Sequence, residues 1–320
     1  MERLIFRSYS MLRGTVQTML KDSNFKNVAV IVTYNKLGYL KSCLEGVMKS
    51  DQFLYKIVII NNASTDGTKK YLNTLQKEND KLVVVNERDN LGGAAGFNHG
   101  IKRAMMLDAD AVWVMDDDTI PDGTTLKNMI DARQNVEHEF GSWGVLASNV
   151  RWIDGSAALM NVPQAGKPWN RSNLANLISI AHSSFVSMYI NAKAIRQMGL
   201  PISDFFIWGD DVEFSERIAR VYPSFCVTNS SVLHKMAENQ KVDILTDNKG
   251  RIPRYFYDVR NKIYMAKKQG LKACLKYIIH FVIVFCKVIF KSNYKLLKIS
   301  TMLKGLVAGI TFNPKIEKVH

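Results

Sequence analysis

Apolar residues come in short unbroken blocks along the first half of the chain, each followed by a polar stretch with helical spacing. "VAVIVTY" (Val28 to Tyr34) is a continuous, largely β-branched run, the pattern of a strand buried on both faces. A helical pattern follows from Leu37 to Lys49, and "YKIVIIN" (Tyr55 to Asn61) reads as a second strand. "NASTDGT" then supplies turn and cap chemistry, with Ser64, Thr65 and Asp66 as candidate caps for a helix running to about Glu78. A third strand, "KLVVVN" (Lys81 to Asn86), is followed by the glycine-rich "NLGGAAGFNHG", which opens another helix. "AVWVM" (Ala111 to Met115) is the fourth strand. This alternation predicts an α/β fold with a parallel sheet covered by helices on both faces, in which ligands bind beyond the carboxyl ends of the strands. Past Gly141 the pattern is less regular. "SWGVLASNVRW" and "HSSFVSMYIN" read as strands, "AKAIRQMG" and "DVEFSERIARV" as short helices, and the chain reads helical from Arg254 onward. No internal repeat interrupts it.

Composition adds a division. The chain has 320 residues, 47% of them apolar, enough for a large core and unlike a disordered chain. Of its net charge of +14, residues 251–320 carry +13, so residues 1–250 are nearly neutral. The expected organisation is therefore an N-terminal amphipathic extension (1–27), a catalytic α/β domain (28–250) and a basic helical module (251–320). The N-terminal stretch is interrupted by Arg3, Arg7 and Arg13 and reads as neither signal peptide nor membrane span. The basic module implies an anionic partner, membrane lipid or nucleic acid. Its longest apolar run, Tyr277 to Cys286, is shorter than the ~20 residues of a spanning helix. Recurring lysines (Lys272, Lys276, Lys287, Lys291, Lys295, Lys298, Lys304) suit helices lying on an anionic membrane surface, or else an ordinary bundle with a basic outer face. No nucleic-acid motif occurs, so no nucleic-acid partner is expected. Cys43, Cys226, Cys274 and Cys286 lack metal-ligand spacing and sit in apolar company, as buried, reduced thiols of a cytosolic protein do.

The fourth strand ends in Asp116, Asp117 and Asp118. Three adjacent carboxylates stay ionised at a buried strand end only beside a cation or strong donors. Carboxylates with phosphate oxygens form the hard-oxygen set preferred by Mg²⁺ or Mn²⁺. The plainer reading is a solvated acidic turn capping the next helix. The glycine loop is neither a dinucleotide fingerprint nor a P-loop, which argues against a dehydrogenase or kinase. A second acidic cluster, Asp210, Asp211 and Glu213, opens the helix "DVEFSERIARV" just after Trp208.

Residues 28 to about 235 resemble family 2 glycosyltransferases of GT-A fold. The resemblance rests on "VTYN" (Val32 to Asn35), "NNASTDGT" (Asn61 to Thr68), "NLGGAAGF" (Asn90 to Phe97), "DDD" and "FFIWGDDVEFSERI", in that order. "GGAAGF" with "DDD" and the later "WGDD" looks most like bacterial galactofuranosyltransferases, with rhamnosyltransferases close behind. The resemblance implies a GT-A domain with a mostly parallel central sheet, followed by the helical basic module. It implies inverting, metal-dependent transfer of a sugar, galactofuranose from UDP-galactofuranose, onto a lipid-linked cell-surface polysaccharide at the inner face of the cell membrane. A rhamnosyltransferase using dTDP-L-rhamnose is the alternative. Asp118 and Asp116, with His234, would hold Mn²⁺ or Mg²⁺. The donor would be held by Thr33, Tyr34, Asn35, Asn61, Asp66, Gly92, Gly93, Asp116 and Asp117. Asp211 maps to the base, with Asp210 and Trp208 on the acceptor. Asn61 stands where many relatives have aspartate, which leaves the choice of base open. Arg254, Tyr257, Arg260 and Asn261 resemble a segment that could reach the diphosphate or the acceptor.

Two rivals belong to other classes. A nucleotidyltransferase should carry a Gly/Arg/Lys-rich phosphate loop near the first strand, and "VTYNKLGYLKSC" supplies only Lys36 and Gly38. A carbohydrate- or nucleotide-binding module without turnover would not need the intact acidic residues. The oligomeric state is left open by the sequence.

Overall fold

A computed structural model describes residues 24–319, so the amphipathic helix expected within 1–27 lies almost entirely outside the described residues. The four apolar runs form strands β1 (Asn27–Thr33), β2 (Lys56–Asn61), β3 (Leu82–Asn86) and β4 (Ala111–Asp116). They pair in parallel in the order β3-β2-β1-β4. Between them run helices α1 (Leu37–Met48), α2 (Thr68–Glu78) and α3 (Gly92–Met105). Alternate residues of β1 serve different cores. Val28, Val30 and Val32 pack with Phe97 and Ile101 of α3, whereas Ala29 and Ile31 pack with Leu40, Cys43 and Leu44 of α1. Burial on both faces is why the strand is apolar at every position.

The parallel pattern stops at β4. Beyond it come β5 (Thr119–Pro121), α4 (Thr125–Phe140), β6 (Val145–Arg151), β7 (Gln164–Ala165), β8 (Leu177–His182), β9 (Met188–Asn191), α5 (Ala192–Met198), α6 (Asp210–Ala219) and β10 (Phe225–His234). The same sheet continues β4-β9-β6-β10-β8-β7, with β5 against β10. β9 runs antiparallel to both β4 and β6, and β10 runs parallel to β6 but antiparallel to β5 and β8. The sheet is thus mixed, parallel in its first four strands. "HSSFVSMYIN", which reads as one strand, spans two that lie apart in the sheet. The turn between them ends at Ser187, whose backbone is left-handed. Its hydroxyl accepts from Trp113 Nε1 at 3.0 Å and bonds Ser148 Oγ at 2.7 Å inside the sheet.

Residues past 250 form α7 (Tyr255–Gln269), α8 (Leu271–Lys291) and α9 (Lys295–Thr311) around a small core of Tyr255, Val259, Phe281, Val288 and Met302. The chain then returns to the α/β body. Leu200 N–H donates to the Glu317 carbonyl at 2.8 Å, Lys102 pairs with the Glu317 carboxylate at 2.6 Å, and Lys318 Nζ donates to the Gln197 carbonyl at 2.6 Å.

Three expectations about this module change. The apolar segment does not end at Cys286. α8 is continuous over 21 residues, with an 18-residue stretch of mean hydropathy 2.1, only 6% of it buried; by length and composition alone it could cross a membrane. Lys298 is no surface lysine: it is fully buried, and its Nζ donates to Leu245 O, Ser292 Oγ and Asn293 Oδ1. Among the cysteines, all free, Cys43 and Cys226 are buried, but Cys274 is half-buried and Cys286 exposed, because the side of α8 carrying Cys286 is not covered.

Candidate active site

Asp116 ends β4, and Asp117 and Asp118 form the turn before β5. Asp117 turns back onto the end of β1, accepting from Thr33 Oγ1 at 2.8 Å and from the Tyr34 N–H at 3.2 Å. Asp116 and Asp118 meet His234, the last residue of β10, placed opposite Thr119 by the antiparallel β5–β10 pair. One ligand atom from each of the three lies within 4.8 Å of the others. Asp118 Oδ1 is 2.9 Å from His234 Nε2, and Asn161 Oδ1 is 2.8 Å from His234 Nδ1. Both ring nitrogens therefore face oxygens, which suits either a proton on each or a cation shared between Nε2 and Asp118.

One cation in the cluster went unassigned in the sequence. Lys36 Nζ lies 2.6 Å from Asp118 Oδ2 and 3.6 Å from Asp117 Oδ1. Burial works against its charge, but the carboxylates of Asp118 and Asp117 outweigh burial and raise its pKa well above the lysine range. Burial likewise opposes ionisation of Asp118, yet the hydrogen bond from His234 and the charges of His234 and Lys36 hold it well below the usual carboxylate range. Asp116 and Asp117 go the other way, raised chiefly by burial, Asp117 to about 6.

Asp210 and Asp211 begin α6. The loop before them is strained: Phe206 and Trp208 have φ of 63° and 64°, and Gly209 has φ of 89°. Asn261 of α7 holds it. Its buried side-chain amide donates to the carbonyls of Phe205, Ile207 and Trp208 at 3.0, 3.2 and 2.9 Å. Arg260 adds bonds to the carbonyls of Asp204 and Phe205, and Tyr257 stacks on Phe206 at 4.7 Å. These α7 residues thus shape the loop. The glycine loop braces it from the other side: Ala94 N–H donates to the Phe206 carbonyl at 3.1 Å, and a Cβ on Gly92 (φ +82°) would lie 2.1 Å from that oxygen. Burial raises both carboxyls of the pair. Asp211 is pushed up to about 6 despite backbone N–H groups, including those of Val212 and Phe185, that favour its charge. Asp210 is also raised well above the usual carboxylate range, first by burial and then by repulsion from Asp211 and Asp116. The two acidic clusters therefore lie within one another's electrostatic reach.

The remaining residues singled out in the sequence surround this centre. Asn35, Lys36, Tyr39, Asp66 and Lys235 line an open cavity of about 480 Å³, and Lys235 N–H donates to the Asp118 carbonyl at 2.9 Å. Asn35 Oδ1 accepts from Thr65 N–H at 2.7 Å rather than capping α1. Asp66 ties two helix starts together, accepting from the N–H groups of Leu37 and Thr68 at 2.9 and 3.2 Å. Tyr34 is exposed. Asn61 is bonded internally, its amide donating to Asn86 Oδ1 at 2.8 Å and its oxygen accepting from Ser64 N–H at 3.1 Å. Open space surrounds Gly93 where a Cβ would stand.

Comparison with known proteins now bears on this geometry. Residues 28–145 match the family model Glycosyl transferase family 2. The chain carries a family 2 glycosyltransferase domain. Galactofuranosyltransferase GlfT1 of Mycolicibacterium smegmatis is 26% identical to this glycosyltransferase over 264 residues, 77% of this chain and 85% of the relative. GalNAc-T7 with UDP, GalNAc and Mn²⁺ superposes with a TM-score of 0.57 at 15% identity, over 77% of this chain and 51% of that one. S. aureus TarS 1-349 in complex with UDP-GlcNAc superposes with a TM-score of 0.51 at 14% identity, over 90% of this chain and 74% of that one. These likenesses show the GT-A fold. In this glycosyltransferase the residues fit a divalent cation: two carboxylates and an imidazole converge, and Asn161 orients the imidazole from behind.

Proposed function

We propose that this glycosyltransferase moves galactofuranose from UDP-galactofuranose onto a lipid-linked glycan, with inversion, at the cytoplasmic face of a membrane. The observation that carries the reading is the convergence of Asp116, Asp118 and His234 at the carboxyl end of β4, within electrostatic reach of Asp210 and Asp211. Asp116, Asp118 and His234 would hold Mn²⁺ or Mg²⁺, which when bound neutralises a diphosphate leaving group. Lys36 adds a fixed positive charge beside them. Thr33, Tyr34, Asn35, Asn61, Asp66, Asp117, Gly92 and Gly93 form the donor's surroundings. Asp211 is the general base that takes the acceptor hydroxyl's proton, and Asp210 beside it at the start of α6 orients acceptor hydroxyls. Trp208 sits at the acceptor side of the same loop. The galactofuranose assignment is supported by the GlfT1 likeness across 77% of the chain.

Peripheral attachment is supported by the C-terminal helices. Leu271, Ile279, Val282, Phe290 and Leu296 are exposed, and Leu271–Thr311 carries lysines but no Asp or Glu.

Calorimetric titration of UDP with and without Mn²⁺, followed by hydrolysis assays on a panel including UDP-galactofuranose and dTDP-L-rhamnose, tests the donor. Asp211→Asn is expected to lower transfer about 10²–10⁴-fold with UDP binding retained. Asp118→Ala is expected to abolish the Mn²⁺ enhancement of UDP binding. Full transfer by either variant removes that residue's role.

A further inference from the structure

The C-terminal helices and the loop before Asp210 line a second cavity, of about 290 Å³, in which Trp208 alone has been given a role above. Buried Tyr255 and Phe281 form apolar walls. Trp208 stands edge-on to Tyr255, with ring centroids 5.2 Å apart. The polar groups lining it are Asp258 and Lys262, paired at 2.9 Å, with His280 and Asp243. An aromatic surface edged by carboxylates is what a sugar ring needs: its C–H face packs on the rings, and its hydroxyls donate to the carboxylates. A purely aliphatic occupant would displace water from this polar edge and offer it no hydrogen bond in return, at a cost in affinity. The size lies at the lower end of small-ligand pockets, enough for a short glycan segment. Trp208 belongs to the strained loop that ends at Asp210 and Asp211, so the cavity lies against the loop that carries the proposed base.

Helix α8 adds a direction. Tyr277, His280, Phe281 and Val284 face the cavity, whereas Ile278, Ile279, Val282 and Ile283 are bare toward solvent.

We infer that this cavity is an acceptor subsite, which takes a sugar residue next to the one that receives the transferred unit. The inference rests on the transfer reading above and narrows it: acceptors of at least two sugars are favoured, and their aglycone leaves along α8.

Octyl glycosides carrying one or two sugar residues serve as probes, assayed with the donor selected by the hydrolysis panel. Val284→Trp fills the cavity from α8. Its KM for the two-sugar acceptor is expected to rise about tenfold, with the one-sugar KM and acceptor-free donor hydrolysis unchanged. Lys262→Ala, at an exposed position, makes the same test without loading the core and should raise the two-sugar KM about threefold. Unchanged KM values for both acceptors in both variants overturn the inference. So does a loss that follows the length of the alkyl chain rather than the number of sugars. Absence of donor hydrolysis in the parent protein, by contrast, overturns the transfer reading itself.

Discussion

At the scale of single residues, burial raises both neighbouring carboxyls at the start of α6, and Asp210 is further opposed in its charge by Asp211 and Asp116. Asp211, pushed up to about 6, is mostly ionised at neutral pH. A general base must be ionised to work, so kcat is expected to rise with pH through about 6 and level off above it. A profile flat from pH 5 to 8 would contradict this. Lys36 offers a second case. Removing its charge leaves Asp117 and Asp118 with one counter-charge fewer, so Lys36→Met should lower stability at neutral pH. Because the lysine side chain is nearly half exposed, the loss should be only about 1 kcal/mol. Added Mn²⁺ should restore part of it, read as a rise in Tm. Asp116 to Asp118 stand out in the sequence because they close an apolar run, whereas the expectations for Asp211 and His234 come from the family resemblance. Lys36 and Asn161 could not be read, since their partners lie 82 and 73 positions away.

At the scale of elements, the loop before Asp210 depends on a helix that follows the sheet in sequence. The backbone at Phe206 and Trp208 is costly for residues bearing a Cβ, and one side-chain amide on α7 makes three of the hydrogen bonds that hold it. Asn261→Leu removes all three bonds while nearly keeping the volume. The expected result is a fall in kcat of at least about tenfold. Unaltered kcat would show that the loop holds its shape unaided. β1 to β4 were legible because strands buried on both faces leave an unbroken apolar signature. The β8–β9 break was not, because serines fill the turn inside the sheet and the apolar spacing runs on past it. Nor does sequence spacing show that a basic helix following the domain reaches back to hold the loop before Asp210.

At the scale of the whole molecule, apolar and basic character coincide on one exposed region of α8 and α9. The paired variant Ile279→Glu with Val282→Glu should lose sedimentation with phosphatidylglycerol vesicles, while the parent's binding should weaken as salt rises. Release from native membranes by high salt supports surface attachment; retention through alkaline carbonate would instead mean that α8 spans the bilayer. The returning tail has a consequence of its own. Glu317 and Lys318 are fastened to Leu200, Lys102 and Gln197 of the catalytic body, so the helical module is tied to that body at both of its ends. Heating should therefore melt the two together in one calorimetric endotherm, and cutting the chain after Thr311 should split that endotherm into two.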